Sequence, residues 1–299
     1  MPDAAPLPGP VAVVGLGLMG TAIAGRLLDA GVPTHVWNRT ASRADALVAR
    51  GARFCDDPLG SCGLVITSLY DGAAVREVME PRLDAGPAGR IVVDTSTVDP
   101  ETTEALAARA RKRGIAWLDA PISGSSVQTA RGEATVLVGG DGADVAACAG
   151  LWGILGGRCH HVGGVGSASR MKLVTNLVLG LNRAALAEGL VLARALGIDP
   201  AAALEVLRDS PAASRQMDTK GPKMVVGDFT VQARLAQHLK DVRLILDAAA
   251  AAQVPLPLAE AHRTLLERAV AAGLGDLDNS AVIGAYPPPA PRPPPERAP

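Results

Sequence analysis

The chain is poor in several features that would point to a role at once. Its 29 lysines and arginines nearly balance its 30 aspartates and glutamates, and the formal net charge is -1. That balance gives no reason to expect nucleic acid or an anionic membrane as a main partner. No apolar run reaches the roughly 18 residues that cross a bilayer. The opening MPDAAPLPGP lacks the basic-then-apolar layout of a signal peptide, so a cytoplasmic location is expected. Four cysteines, Cys55, Cys62, Cys148 and Cys159, are scattered without a CxxC, which argues against a disulfide framework or zinc knuckle. They read as small buried hydrophobes. In Cys159-His160-His161, strand neighbours would point to opposite faces and no second ligand group stands out, so no metal is expected.

What is present suits two domains: 299 residues, of which 48% are hydrophobic. Short apolar runs at 11–14, 34–37, 64–67, 91–93, 115–118 and 134–138 read as strands, with helical patterns between them at Ser42 to Arg50 and Glu101 to Arg113. Strands alternating with helices predict a mostly parallel sheet covered on both faces. Beyond about residue 165 the strand signal stops. A long Ala/Leu-rich stretch over 167–196 predicts one helix leaving the first domain. Further helices are expected after Asp199-Pro200, near 236–252, near 258–272, and from Asp276. The expected layout is a tail at 1–10, a dinucleotide-binding domain at 11–164, an all-helical domain at 165–286 and a proline-rich tail at 287–299. Both tails read as disordered.

Gly15-Leu16-Gly17-Leu18-Met19-Gly20 follows the strand VAVV and opens a helical pattern. In that setting GxGxxG marks a dinucleotide site. Gly15 makes the turn, Gly17 lets pyrophosphate reach backbone N–H groups at the helix N-terminus, and Gly20 permits close helix packing. The second strand ends in Asn38-Arg39-Thr40, where an acidic residue would take the ribose hydroxyls of NAD. Arg39 instead suits a 2′-phosphate, through charge-assisted hydrogen bonds of roughly 1.5 to 3 kcal/mol. At 1.4 kcal/mol per tenfold, that predicts about a ten- to hundredfold preference for NADP(H).

The chemistry needs a proton-handling partner. Ser123-Gly124-Ser125-Ser126, in a loop after a strand, offers hydroxyls and unhindered N–H groups that can cradle a carboxylate. Lys172 and Asn176 are four apart and share one face of the long helix. They are surrounded by Met171, Leu173, Val174, Leu177 and Val178. An amine in such a setting has either a task or a snorkelling role at the domain junction.

GLGLMG, DAPISGSS at 119–126 and the Lys172/Asn176 helix, in this order and spacing, resemble the β-hydroxyacid dehydrogenases, and HLKDVRLIL at 238–246 is similar to a further stretch of that family. NRT, DTSTVD at 94–99 and GLGDLDNSAVI at 273–283 look most like its glyoxylate/succinic semialdehyde reductase branch. The resemblance covers about residues 11 to 285. It implies an N-terminal Rossmann domain joined by a long helix to an all-α domain, in homodimers or homotetramers. It implies that Lys172 is the catalytic acid/base, that Ser123 and Gly124 hold a substrate carboxylate, and that Asn176 and Asp241 line the same pocket. Leu69, Thr97 and Lys240 would approach the cofactor. The activity implied is reversible, NADPH-dependent reduction of a small aldehyde- or keto-carboxylate.

The chain also departs from the family pattern. Ala168 replaces a glycine at the helix entry, Tyr70 stands where many members have proline, and Ala233 stands where the branch has an aromatic. With three Trp, two Tyr and two Phe in the whole chain, few residues could replace that ring. Two other readings stay open: an imine reductase with a similar cofactor domain, and an NADP-binding module without catalysis.

Overall fold

The computed structural model describes residue 7 and residues 9–286. The expectations for the tails at 1–10 and 287–299 therefore lie mostly or wholly outside the described residues. The chain divides into two compact units, 1–175 and 176–299.

Unit 1 is built on nine strands: β1 (Val11–Val14), β2 (Thr34–Trp37), β3 (Arg53–Phe54), β4 (Leu64–Thr67), β5 (Ile91–Asp94), β6 (Ala116–Asp119), β7 (Ile122–Ser123), β8 (Thr135–Gly139) and β9 (Arg158–Gly163). Their order is β3-β2-β1-β4-β5-β6-β8-β7, with β9 on the other side of β8. The run from β3 to β6 is parallel, β8 is antiparallel to β6 and β7, and β9 is parallel to β8. Side chains alternate across the sheet. Val11 and Val13 therefore join one apolar core, with Ile23 and Leu27, while Ala12 and Val14 join the other, with Val75 and Leu106.

The strand order reverses beside β1, which pairs with both β2 and β4. Crevices at such switch points, beyond the carboxyl ends of the strands, are where open α/β sheets bind ligands. Val14 is level with Trp37 on one side and Thr67 on the other, so the turn after β1 meets the ends of both neighbours.

β3, β7 and β9 had no apolar run to announce them. β3 and β7 are two residues each, and β9 (RCHHVG) is mostly exposed. As an edge strand, β9 has no need of a second apolar face. Here the cysteine expectation fails in part. Cys62 and Cys148 are buried, Cys55 is half-buried and Cys159 is exposed. His161 Nε2 lies 3.1 Å and 3.0 Å from the carbonyl oxygens of Gly140 and Gly163.

The long helix runs over Ser167–Ala195. By length and composition alone it could cross a membrane. The Lys172, Asn176 and Arg183 side chains it buries mark it instead as a core helix. The division into units falls within it, later than the expected boundary at 164/165, because its first turn is fastened to unit 1. Asp119 Oδ1 accepts from Gly166 N–H at 2.9 Å and Oδ2 from Ser169 N–H at 2.8 Å, while Thr103 and Ser169 share a hydroxyl hydrogen bond of 3.1 Å.

Unit 2 is helical: the remainder of the long helix, then Pro200–Asp209, Arg215–Thr219, Gly221–Val226, Leu235–Ala251, Pro257–Ala271 and a 3-10 stretch at Asn279–Ala285. Asp199 caps the first of these, accepting from Ala201 and Ala202 N–H, with Pro200 in the first turn. The stretch expected from Asp276 starts later, because Asp278 Oδ1 accepts from Ser280 N–H and caps it there. The short helices at 215–219 and 221–226 are too brief to show a period. The unit's apolar core gathers Leu186, Leu190, Leu204, Leu235, Leu239, Val242 and Leu266.

Candidate active site

The glycine-rich turn is rigid where it must be and open where it must be. Gly15 has φ +96°, and a Cβ there would collide with the Ser68 carbonyl oxygen. A Cβ at Gly20 would collide with the Gly15 carbonyl, so only glycine lets the helix Leu18–Asp29 start this close to β1. Around Gly17 nothing stands within 4 Å of a Cβ position, and no side chain caps the helix that Gly17 begins. Its first N–H groups face open space with the positive end of the helix dipole behind them. No acidic residue lies in that first turn. A dinucleotide pyrophosphate fits such a cradle.

Asn38, from the end of β2, braces the turn. Its Oδ1 accepts from Leu16 N–H at 3.0 Å and its Nδ2 donates to the Thr40 carbonyl at 2.9 Å. Arg39 is exposed and stands 3.6 Å from Glu77, both side chains being mostly in solvent. Such a pair is worth at most about 1 kcal/mol, so it does not bind the guanidinium firmly. Leu69 N–H donates to Ser96 Oγ at 2.9 Å, which ties the loop after β4 to the loop after β5 that carries Thr97. Leu18 is exposed, and the Met19 sulfur accepts from Thr129 Oγ1 at 3.9 Å.

Lys172 is buried, and its Nζ donates to the Ile122 carbonyl at 2.9 Å. Ile122 immediately precedes Ser123-Gly124, so unit 1 brings the ammonium to the start of the loop expected to hold a carboxylate. At Gly124 a Cβ would stand 2.9 Å from the Ala134 Cβ, which keeps that backbone bare. Ser125 has another task. Its hydroxyl accepts from Gln128 N–H and its own N–H donates to Gln128 Oε1, a capping box for the helix Ser126–Ala130.

In unit 2, Asn176 Nδ2 donates to Asp241 Oδ2 at 3.0 Å, and both side chains are buried. Asp241 Oδ1 lies 3.1 Å from Lys240 Nζ. Lys172 and Asn176 stand one turn apart on the same continuous helix. Asp119, the side chain that holds the start of this helix, was not singled out from the sequence. Its position in DAPISG, right before the serine loop, was the available signal.

A glycine cradle at a sheet switch point, together with a buried lysine beside an N–H-rich loop, defines a dinucleotide-dependent oxidoreductase. Residues 10–163 match the NAD binding domain of 6-phosphogluconate dehydrogenase, and residues 166–286 match the NAD-binding domain of NADP-dependent 3-hydroxyisobutyrate dehydrogenase. The chain is 34% identical over 283 residues to 2-(hydroxymethyl)glutarate dehydrogenase of Eubacterium barkeri, covering 92% of this chain and 94% of that protein. It is 34% identical over 281 residues to glyoxylate/succinic semialdehyde reductase 1 of Arabidopsis thaliana, covering 92% and 97%. Among solved structures, 3-hydroxyisobutyrate dehydrogenase from Salmonella typhimurium superposes with a TM-score of 0.86 at 28% identity, over 93% of this chain and all of that one. The chain belongs to the β-hydroxyacid dehydrogenase family. It is an oxidoreductase acting on CH–OH groups, and its cofactor is a nicotinamide dinucleotide, NAD(P)(H).

Proposed function

We propose that the enzyme reduces a small aldehyde- or keto-carboxylate, of the glyoxylate or succinic semialdehyde type, to the hydroxy acid, and runs in reverse when hydroxy acid and NADP are supplied. The observation that carries this reading is the Lys172 ammonium held at the Ile122 carbonyl, one residue before Ser123-Gly124. Bound NADPH supplies the hydride. Hydride addition to a carbonyl carbon builds negative charge on the oxygen, and a fixed ammonium stabilises that charge and then gives up a proton to it. The Ile122 carbonyl keeps Nζ aimed. Ser123 Oγ and the Gly124 N–H would hold the carboxylate.

This constellation suits a carboxylated carbonyl better than an imine, which has no carboxylate for the loop to hold. The test is loss of NADPH absorbance with wild type and Lys172→Ala against glyoxylate, succinic semialdehyde, methylmalonate semialdehyde, tartronate semialdehyde and a cyclic imine. Turnover of a carboxylated aldehyde should fall about a thousandfold in the variant while NADPH binding persists. Retained turnover would remove Lys172 from the mechanism. Turnover of the imine alone would replace the reading.

A further inference from the structure

The end of β2 lacks the carboxylate that would take the ribose hydroxyls of NAD, and the fold brings one in from another element. The helix Gly72–Ala85, which follows β4, carries Glu77, and a Glu77 carboxylate oxygen stands 3.6 Å from the Arg39 guanidinium. Packing fixes that placement. Arg82, farther along the same helix, lays its guanidinium over the Trp37 ring, 4.2 Å from the ring centre, and donates to the Val78 carbonyl at 2.7 Å. Trp37 is the last residue of β2, two before Arg39. Val75, Val78 and Met79 bury another face of the helix in the apolar core that holds Ala12 and Val14 of β1. Helix and strand end are thus locked together, with Glu77 on the solvent side beside Arg39.

Stability does not explain the pair. The Arg39 and Glu77 side chains are 81% and 65% exposed, and an ion pair of that kind adds little to the fold. Among the described residues Arg39 makes no other ion pair. What the pair does is set opposite charges at the place where the two nicotinamide dinucleotides differ. A 2′-phosphate is drawn by Arg39 and repelled by Glu77, and it has to take the guanidinium away from that carboxylate. A free ribose diol has hydroxyls to donate, and a carboxylate is the acceptor that serves them. Asn38, neutral and already engaged with Leu16 N–H and the Thr40 carbonyl, favours neither. Because the pair is weak, Arg39 can leave it at small cost.

We propose that Glu77 is the second half of the cofactor-selecting site: by opposing Arg39 it tempers the preference for NADP(H) and lets the enzyme draw on NAD(H) as well. Glu77 is a specificity residue, and no proton or hydride passes through it. The inference rests on the dinucleotide cradle and is independent of which carbonyl compound is reduced.

The test uses the adenosine halves of the two cofactors, 2′,5′-ADP for NADP and 5′-AMP for NAD, titrated by calorimetry into wild type, Glu77→Gln and Glu80→Gln. Glu80, three residues on in the same helix and paired with Arg76 and Arg109, controls for the loss of one negative charge. Glu77→Gln should raise the ratio of 2′,5′-ADP to 5′-AMP affinity about fivefold, and Glu80→Gln should leave it within about twofold of wild type. The rise should shrink at high salt, because both charges are exposed. The NADPH/NADH ratio of kcat/KM should move by the same factor, chiefly through KM. In an Arg39→Met background, with no guanidinium to release, removing Glu77 should change the affinity ratio by only about twofold. An unmoved ratio in Glu77→Gln, or an equal rise in Glu80→Gln, would overturn the proposal. So would an undiminished rise in the Arg39→Met background. If both fragments bind wild type and the ratio ignores Glu77, its role falls and the cradle stands. If neither fragment binds, the cradle falls and takes the proposal with it.

Discussion

In unit 1 the buried carboxylates are occupied in holding backbone and hydroxyls at the ends of strands: Asp94 accepts from Thr67 Oγ1 at 2.7 Å and Ser96 N–H at 3.0 Å, and Asp119 takes two N–H groups at the start of the long helix. Unit 2 buries cations beside its carboxylates, with Lys220 locked to Asp278 and Arg183 left with unused donors. The first arrangement sets a scaffold around a cofactor whose shape does not vary. The second carries buried charge that the surrounding fold compensates only in part.

The contrast is sharpest at Asp278. Asp278→Ala strips Lys220 of its partner and three backbone N–H groups of their acceptor, so unfolding in urea should show a loss of about 3–5 kcal/mol. Burial alone would raise this carboxyl's pKa, but Lys220 and the surrounding donors outweigh it and hold it below the usual range. A loss under 1 kcal/mol would mean the pair is no keystone.

Next comes acid. Burial, reinforced by the positive charge of Arg183, lowers the His262 pKa from 6.5 to about 4. The unfolded chain therefore takes up the proton first. Stability contributed by neutral His262 is whole above about 6.5 and is lost as pH falls toward 4, by about 3 kcal/mol in all. A His262→Gln variant should flatten the stability profile across that window; an unchanged slope would show that other groups govern it. The smallest effect belongs to unit 1, at an exposed residue. Arg39→Asp should shift the NADPH/NADH ratio of kcat/KM about ten- to hundredfold toward NADH, and an unmoved ratio would take the 2′-phosphate away from Arg39.

How far these features could be read from the residues followed the same divide. The strands behind the cofactor turn are unbroken apolar runs because both faces of a parallel sheet are buried, and the glycines announce themselves by spacing. Two-residue strands and the exposed edge strand leave no such trace. Lys172 stood out because its neighbours are apolar. Arg183, in LNRAAL, looks like any helical arginine; its burial comes from helices distant in sequence that close over it. The donors that residues 220, 232 and 233 bring to Asp278 are likewise a product of tertiary folding.

The double grip of Asp119 on Gly166 and Ser169 also indexes the helix, as a key fixes a shaft. Lys172 follows Ser169 by three residues, and each residue along a helix turns the next by about 100°. A single insertion after Ser169 should therefore rotate the ammonium off the Ile122 carbonyl, and a deletion should do the same in the other direction. Length, more than side-chain identity, is what this segment cannot change.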